Sequence, residues 1–267
     1  MEETKREERE RRICIVIPAH NEEKRIGQTL KEYGRFFHYV KEDVEILVII
    51  NNTQDATEDI VKQYQEQYPF IRYLNFKEGG KGFAIIEGFK EALKGNFDLI
   101  GFVDADLATS PEAYYDLINN IKEDGIIASR YLKESIVNPR QTLSRIFVSR
   151  IFNLLVRILF MMPYRDTQCG AKLFTSKSIG SIIDRLKITQ WAFDVNFLYE
   201  LRKAGFKIKE HPTTWADKEY SKINFMNAGP RMALSIIRLR LVNSPFKFLV
   251  RLYDGLPSRL KLSYLLK

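Results

Sequence analysis

The sequence predicts an α/β protein with a mainly parallel central sheet and flanking helices. Strand and helix patterns alternate through the first 130 residues, the strands read as short buried runs, and polar or Gly-rich segments follow directly behind them. At 267 residues the chain is long enough for one large domain with a C-terminal elaboration, and 45% hydrophobic with 28% charged residues is a globular composition.

Arg12 to Pro18 (RICIVIP) reads as a strand ending at a proline, and Glu22 to Tyr39 as a helix with Ile26, Leu30, Tyr33 and Phe37 on one face. Glu45 to Ile50 (EILVII) is a second strand, Asn51 to Thr53 a loop and Asp55 to Tyr68 a helix. A third strand, Ile71 to Phe76, leads into Glu78-Gly79-Gly80-Lys81-Gly82 and a helix reaching about Leu93. Asp98 to Val103 (DLIGFV) is a fourth strand, running straight into Asp104-Ala105-Asp106. These loops fall at C-terminal strand ends, the edge where open α/β sheets bind ligands.

From Arg140 the pattern turns to long helical stretches. Arg145, Ser149, Asn153 and Arg157 recur every four residues, while Ile146, Phe147, Ile151, Leu154, Leu155, Ile158 and Leu159 fill the other faces. Arginines interrupt this stretch, Met232 to Leu241 and Phe246 to Leu252 before any reaches the roughly 20 apolar residues of a spanning helix. An interfacial position on a membrane is expected, with packing on the protein's own core as the alternative. Residues 1–12 (MEETKREERERR) read as a charged tail with no apolar segment of a signal or anchor, 13–230 as the main domain, and 231–267 as basic amphipathic membrane-surface helices.

Charge is divided unevenly. Residues 1–130 carry 18 Lys or Arg against 25 Asp or Glu, whereas residues 131–267 carry 24 against 9. The second half therefore seeks anions, and its basic residues are interleaved with aliphatic and aromatic stretches, which favours anionic lipid over nucleic acid. Cys14 and Cys169 lie far apart and indicate neither a disulfide framework nor a metal site, so the expected location is the cytoplasmic face of a membrane, as a peripheral protein.

Asp104 and Asp106, at i and i+2 behind a buried strand, offer hard oxygen ligands to Mg²⁺ or Mn²⁺, which in turn binds a diphosphate; a solvated turn is the alternative. Gly79-Gly80-Lys81-Gly82 opens a helix whose N–H groups and Lys81 can face phosphate, although the spacing of a Walker A loop is absent. Pro18, Ala19, His20, Asn21 and Glu22 close the first strand, where a carboxylate and an amide can read a nucleoside, or Asn21 can serve as a helix cap.

Together, VIPAHNEE (Val16 to Glu23), GGKGFAI (Gly79 to Ile85), FVDADLAT (Phe102 to Thr109), ASRY (Ala128 to Tyr131), RDTQCGAKLF (Arg165 to Phe174), WAFDVNFLYE (Trp191 to Glu200) and EYSKINF (Glu219 to Phe225) resemble the family 2 glycosyltransferases of the GT-A fold. The match extends over about 210 residues and is nearest to the polyprenyl-phosphate sugar synthases, the dolichyl-phosphate β-glucosyltransferase branch in particular. It implies a Rossmann-like nucleotide-diphospho-sugar transferase, with 13–110 as the nucleotide half and 111–230 as the acceptor half. A polyprenyl phosphate would be the acceptor, and glucose from UDP-glucose the sugar moved.

The resemblance also implies roles. Pro18, Ala19 and Glu22 would hold the nucleoside, with Asn51 standing where the family usually has an aspartate facing the base; an amide there favours UDP over GDP. Asp55 matches a second aspartate of that loop, with loop closure or helix capping as its duty. Asp104 and Asp106 would bracket the metal, and Ala108 replaces a glutamine common in the mannose synthases. Ser129 and Arg130 match a pair near the acceptor phosphate, Arg145 and Ser149 a helix-borne pair holding the same group, and Ser221 and Lys222 a loop closing over the diphosphate. Asp166 and Asp194 belong to the site with roles open between orienting arginines, contacting sugar and acting as a base. Trp191 and Trp215 are candidates for stacking on sugar or lipid, core packing being the alternative.

A lipid phosphate is already anionic and needs no base, so inversion by direct attack is expected. The rival readings are a transfer to a sugar hydroxyl, a GDP-mannose or UDP-N-acetylglucosamine donor, a sugar-1-phosphate nucleotidyltransferase, whose Gly-rich basic loop VIPAHNEEKRIG lacks, and an inactive nucleotide-binding adaptor.

Overall fold

The computed structural model describes residues 10–139, 143–186, 192–216 and 225–255; for 143–145, 225–231 and 251 it describes the backbone alone. In chain order the elements are β1 (Arg12–Ala19), α1 (Ile26–Phe37), β2 (Asp43–Asn51), α2 (Thr57–Gln67), β3 (Ile71–Phe76), α3 (Lys81–Ala92), β4 (Leu99–Val103), α4 (Pro111–Asn120) and β5 (Gly125–Ser129). There follow β6 (Ile136–Val137), α5 (Leu143–Phe160), β7 (Ala171–Thr175), α6 (Ser176–Gly180), a 3-10 turn at Ile183–Arg185, α7 (Phe193–Lys203), β8 (Ile208–Pro212), β9 (Thr214–Trp215), α8 (Phe225–Val242) and α9 (Lys247–Gly255).

Seven strands form one sheet in the order β3-β2-β1-β4-β7-β5-β8, and β6 pairs with β9 apart from it. All neighbours in the large sheet are parallel except β7, which runs against both β4 and β5. That reversal has a consequence for the site. Ala171, the first residue of β7, pairs with Val103, the last of β4, so the loop entering β7 arrives at the edge where β4 ends.

The central strands β1, β2 and β4 are largely apolar because both faces are covered. Cys14 and Val16 of β1, with Leu47 and Ile49 of β2, face the side of α3, α5, α7 and α8; Ile13, Ile15 and Ile17, with Ile46, Val48 and Ile50, face α1, α2 and α4. Phe102, Phe193 and Phe197 are fully buried on the first side, each contributing about 1.5–3 kcal/mol by leaving water. Helix starts follow local chemistry: Ser110 Oγ accepts from Ala113 N–H at 3.3 Å with Pro111 in the first turn of α4, and Asp55 Oδ1 accepts from Thr57 N–H at 3.0 Å ahead of α2. Asn21 is not the cap of α1; its φ is 51° and its Oδ1 accepts from Gln54 N–H, tying the β1 loop to the β2 loop.

Helix α5 has two unlike faces. Phe152, Asn153, Val156 and Phe160 are turned inward, while Phe147, Ile151, Leu154 and Ile158 stand exposed on the opposite side. The polar positions Ser149 and Asn153 therefore lie on the side turned to the protein, and the apolar ridge faces out. One face of α5 packs on the protein's own core. Among the described residues no helix is long and apolar enough to cross a membrane, and α8 runs continuously from Phe225 to Val242 through position 230.

Candidate active site

The ends of β1, β2, β4 and β5 and the start of β7 meet at one edge of the sheet. The Asp104-Ala105-Asp106 turn sits in the middle of it and is held from three sides. Asp104 N–H donates to Gly170 O at 3.1 Å, Thr29 Oγ1 donates to Ala105 O at 2.8 Å, and Asp106 Oδ1 accepts from Ala108 N–H at 3.0 Å. Gly170 is required there, because a Cβ would lie 1.9 Å from Asp104 Oδ2. Only a bare backbone admits the aspartate.

Lys81 Nζ lies 2.6 Å from Asp104 Oδ1, and Arg25 Nη1 lies 3.9 Å from Asp106 Oδ2. Arg25 is also clamped on Glu22, with Nε and Nη2 each 2.6 Å from a carboxylate oxygen. Burial and then the neighbouring Asp104 push the Asp106 carboxyl above its ordinary range. Burial works against the charge on Lys81, but Asp104 and Asp194 outweigh it and hold its pKa above that of a free lysine.

Behind this lies a pair that sequence reading missed on one side. Lys172, in the middle of the apolar strand β7, is fully buried and donates to Asp194 Oδ1 and to Cys169 O, both at 2.6 Å. Burial raises the Asp194 carboxyl, yet Lys172 and Lys81 prevail and hold it below the ordinary carboxylate value. Arg130 and Asp166 form a second pair: Nε and Nη2 reach the two carboxylate oxygens at 2.7 and 2.9 Å, and Arg130 N–H donates to the same group at 3.0 Å. Asp166 too is held low, Arg130 overcoming its burial, and the guanidinium sits 5.2 Å from the centre of the Trp215 ring. Charges alternate in sign along Arg130, Asp166, Lys172, Asp194, Lys81 and Asp104, the last two about one third exposed.

Other residues named from sequence take different positions. Asn51 is buried; in the orientation that satisfies both groups its Nδ2 donates to Ala19 O at 2.9 Å and its Oδ1 accepts from Gly80 N–H at 2.8 Å. Its amide joins the β1 end to the Gly-rich loop, so a preference for uracil does not follow from it. Ser129 is buried, and its Oγ has no hydrogen-bond partner among the described residues. Ser149 Oγ lies 2.6 Å from Tyr131 Oη, beside Arg150, whose guanidinium is 4.2 Å from the centre of the Tyr131 ring. Pro18 and Ala19 end β1 beside the loop of Glu22. Ser221, Lys222 and Trp191 lie outside the described residues, as does the Arg145 side chain. Arg25 carried one legible signal, its i,i+3 spacing from Glu22; Lys172 carried another, a charge inside an apolar strand.

The model of the family described as glycosyl transferase family 2 matches residues 14–181. The chain belongs to that family. Over 243 residues this family 2 glycosyltransferase is 30% identical to a dolichyl-phosphate beta-glucosyltransferase of Dictyostelium discoideum, covering 85% of this chain and 73% of the relative. It is 31% identical over 242 residues to dolichyl-phosphate beta-glucosyltransferase ALG5A of Trichomonas vaginalis, covering 86% and 73%. Among solved structures, glucosyl-3-phosphoglycerate synthase from Mycobacterium tuberculosis, in complex with Mn²⁺, uridine diphosphate and phosphoglyceric acid, superposes with a TM-score of 0.64 at 15% identity over 87% of this chain and 78% of that one. Mannosyltransferase PcManGT from Pyrobaculum calidifontis, in complex with GDP-Man and Mn²⁺, gives 0.61 at 14% identity over 88% and 65%. The shared fold is GT-A.

The residues present fit a divalent ion. Two carboxylates share one turn, and burial followed by repulsion from Asp104 raises the Asp106 carboxyl, a cost that a cation relieves. Among the described residues no three His, Cys, Asp or Glu converge on one point, and Asp104 and Asp106 are the carboxylates offered at this turn. Ala108, buried with its carbonyl accepting from Ala216 N–H, adds none.

Proposed function

We propose that the enzyme transfers glucose from UDP-glucose to dolichyl or another polyprenyl phosphate, inverting the anomeric carbon, at a membrane surface. Glucose and the lipid acceptor come from the relatives' names. The observation that carries the acceptor class is the state of the carboxylates: Asp104, Asp106, Asp166, Asp194 and Glu22 each face a cationic side chain of the chain itself. A hydroxyl acceptor needs a base to take its proton, and carboxylates held low by buried cations, as Asp166 is by Arg130 and Asp194 by Lys172, are poor bases. A phosphate monoester asks for none.

Asp104 and Asp106 would hold Mg²⁺ or Mn²⁺, which when bound offsets the charge of the departing diphosphate. Pro18, Ala19 and Glu22 receive the nucleoside, and the first turn of α3 with Lys81 receives the diphosphate. The acceptor phosphate oxygen bonds to the anomeric carbon as the bond to the diphosphate breaks, turning an α-linked donor into a β-linked product. Arg130, held by Asp166 over Trp215, and Arg145 with Ser149 bring the acceptor phosphate in line, and Ser221 with Lys222 close over the diphosphate. The outward ridge of α5, with the exposed Phe246, Phe248 and Leu252 near α9, rests in the lipid interface among arginines that reach its anionic headgroups.

The test is a transfer assay offering labelled UDP-glucose, UDP-N-acetylglucosamine and GDP-mannose with dolichyl phosphate and Mg²⁺ or Mn²⁺. Solvent-extractable label is expected from UDP-glucose alone, falling by about a hundredfold or more in Asp106→Ala, because such an ion supplies several kcal/mol. Metal-dependent hydrolysis of the donor without a lipid product would move the acceptor to a hydroxyl.

A further inference from the structure

Both aspartates of the metal turn are already met by cations from elsewhere in the chain. Lys81 reaches Asp104 at 2.6 Å, and Arg25, clamped on Glu22, lies 3.9 Å from Asp106. A divalent ion draws its affinity from uncompensated carboxylate charge, so these contacts oppose it before it arrives. The two cations are not equally mobile. Arg25 is held by both prongs of its fork. Lys81 makes its close contact from a flexible stem, one third exposed, at the start of α3, where helix N–H groups face incoming phosphate.

A second carboxylate also acts on Lys81. Asp194 acts on Lys81 electrostatically and is itself fixed by Lys172, and the two lysine ammonium groups lie 5.7 and 5.1 Å from the centre of the same Phe102 ring. The lysine thus stands between a fixed carboxylate behind it and the metal-facing carboxylate in front.

We infer that Lys81 is an internal counter-ion that competes with the divalent ion for Asp104, and that a bound nucleoside diphosphate draws it off, opening Asp104 to the ion. Metal and nucleotide then bind with positive coupling carried by one side chain, and Arg25 remains as the fixed partner of Asp106. The inference rests on the donor site proposed above.

Mn²⁺ binding, followed through the electron paramagnetic resonance signal of the free ion, tests it without any turnover. Wild-type protein is expected to bind Mn²⁺ weakly alone and at least tenfold more tightly with saturating UDP. Lys81→Met is expected to bind Mn²⁺ at least tenfold more tightly than wild type in the absence of UDP and to lose most of the UDP enhancement. Lys81→Arg, which keeps the charge, should resemble wild type without nucleotide. Lys81→Gln carries the same expectation as the methionine variant, and thermal melts of all four proteins establish that they are folded. Unchanged or weaker Mn²⁺ binding by folded Lys81→Met and Lys81→Gln overturns the inference. Wild-type protein that takes up no Mn²⁺ even with UDP overturns the donor site first, and the inference with it.

Discussion

At the scale of single residues the site is governed by how charges are compensated. Gly170→Ala would place a methyl group against the Asp104 carboxylate, at 1.9 Å from Oδ2, so Asp104 must turn away. Transfer activity should fall by at least about tenfold, corresponding to 1.4 kcal/mol of lost alignment, while the melting temperature changes little; steady-state rates beside a thermal melt check this. Lys172→Met would leave Asp194 buried without its ammonium partner, at a cost of about 3–5 kcal/mol in urea unfolding. Adding Asp194→Leu should recover part of that loss, and a double-mutant cycle measures the recovery.

The same residues set the response to acid. Asp166 and Asp194 titrate below the 3.8 of a free aspartate, so their contribution to stability is present above that value and is lost as pH falls through their lower folded values. Asp106 has the opposite sign: its folded value is raised, so its contribution is present below 3.8 and is lost as pH rises through the raised value. Asp106→Asn should therefore raise the melting temperature of the metal-free protein at pH 7, and Asp194→Asn should lower it. Melts from pH 7 to pH 2 distinguish the two.

At the scale of elements, α5 shows how far pattern reading reaches. Its helical spacing is plain in Arg145, Ser149, Asn153 and Arg157, but a helix with apolar residues on most faces does not announce which face is inward. The contacts of Phe152, Val156 and Phe160 with the core decide it and leave Phe147, Ile151, Leu154 and Ile158 outside. Replacing Ile151 and Leu154 by Ser should leave the melting temperature within a few degrees of wild type, since neither side chain is buried. Sedimentation with phosphatidylserine-containing vesicles should fall several-fold. Unchanged sedimentation would assign the membrane contact to the helices at the C-terminal end.

For the whole molecule, the order of strands and helices through β4 was legible in the sequence, with boundaries within a few residues and β3 matched at both ends. Continuous apolar strands, Gly-rich turns and the Asp-x-Asp behind DLIGFV are local signals, and they located the edge that carries the site and the family to which the chain belongs. Tertiary structure alone decided which charges meet. Lys172 and Asp194 stand 22 residues apart and Arg130 and Asp166 36 apart, brought together because β7 enters the sheet antiparallel between β4 and β5. It also set the Asn51 amide between Ala19 O and Gly80 N–H, and it turned the ridge of α5 outward. The physical reason is the range of the information: a strand or turn is encoded within a few neighbouring residues, whereas the partner of a buried charge is chosen by strand order and burial, which belong to the assembled sheet.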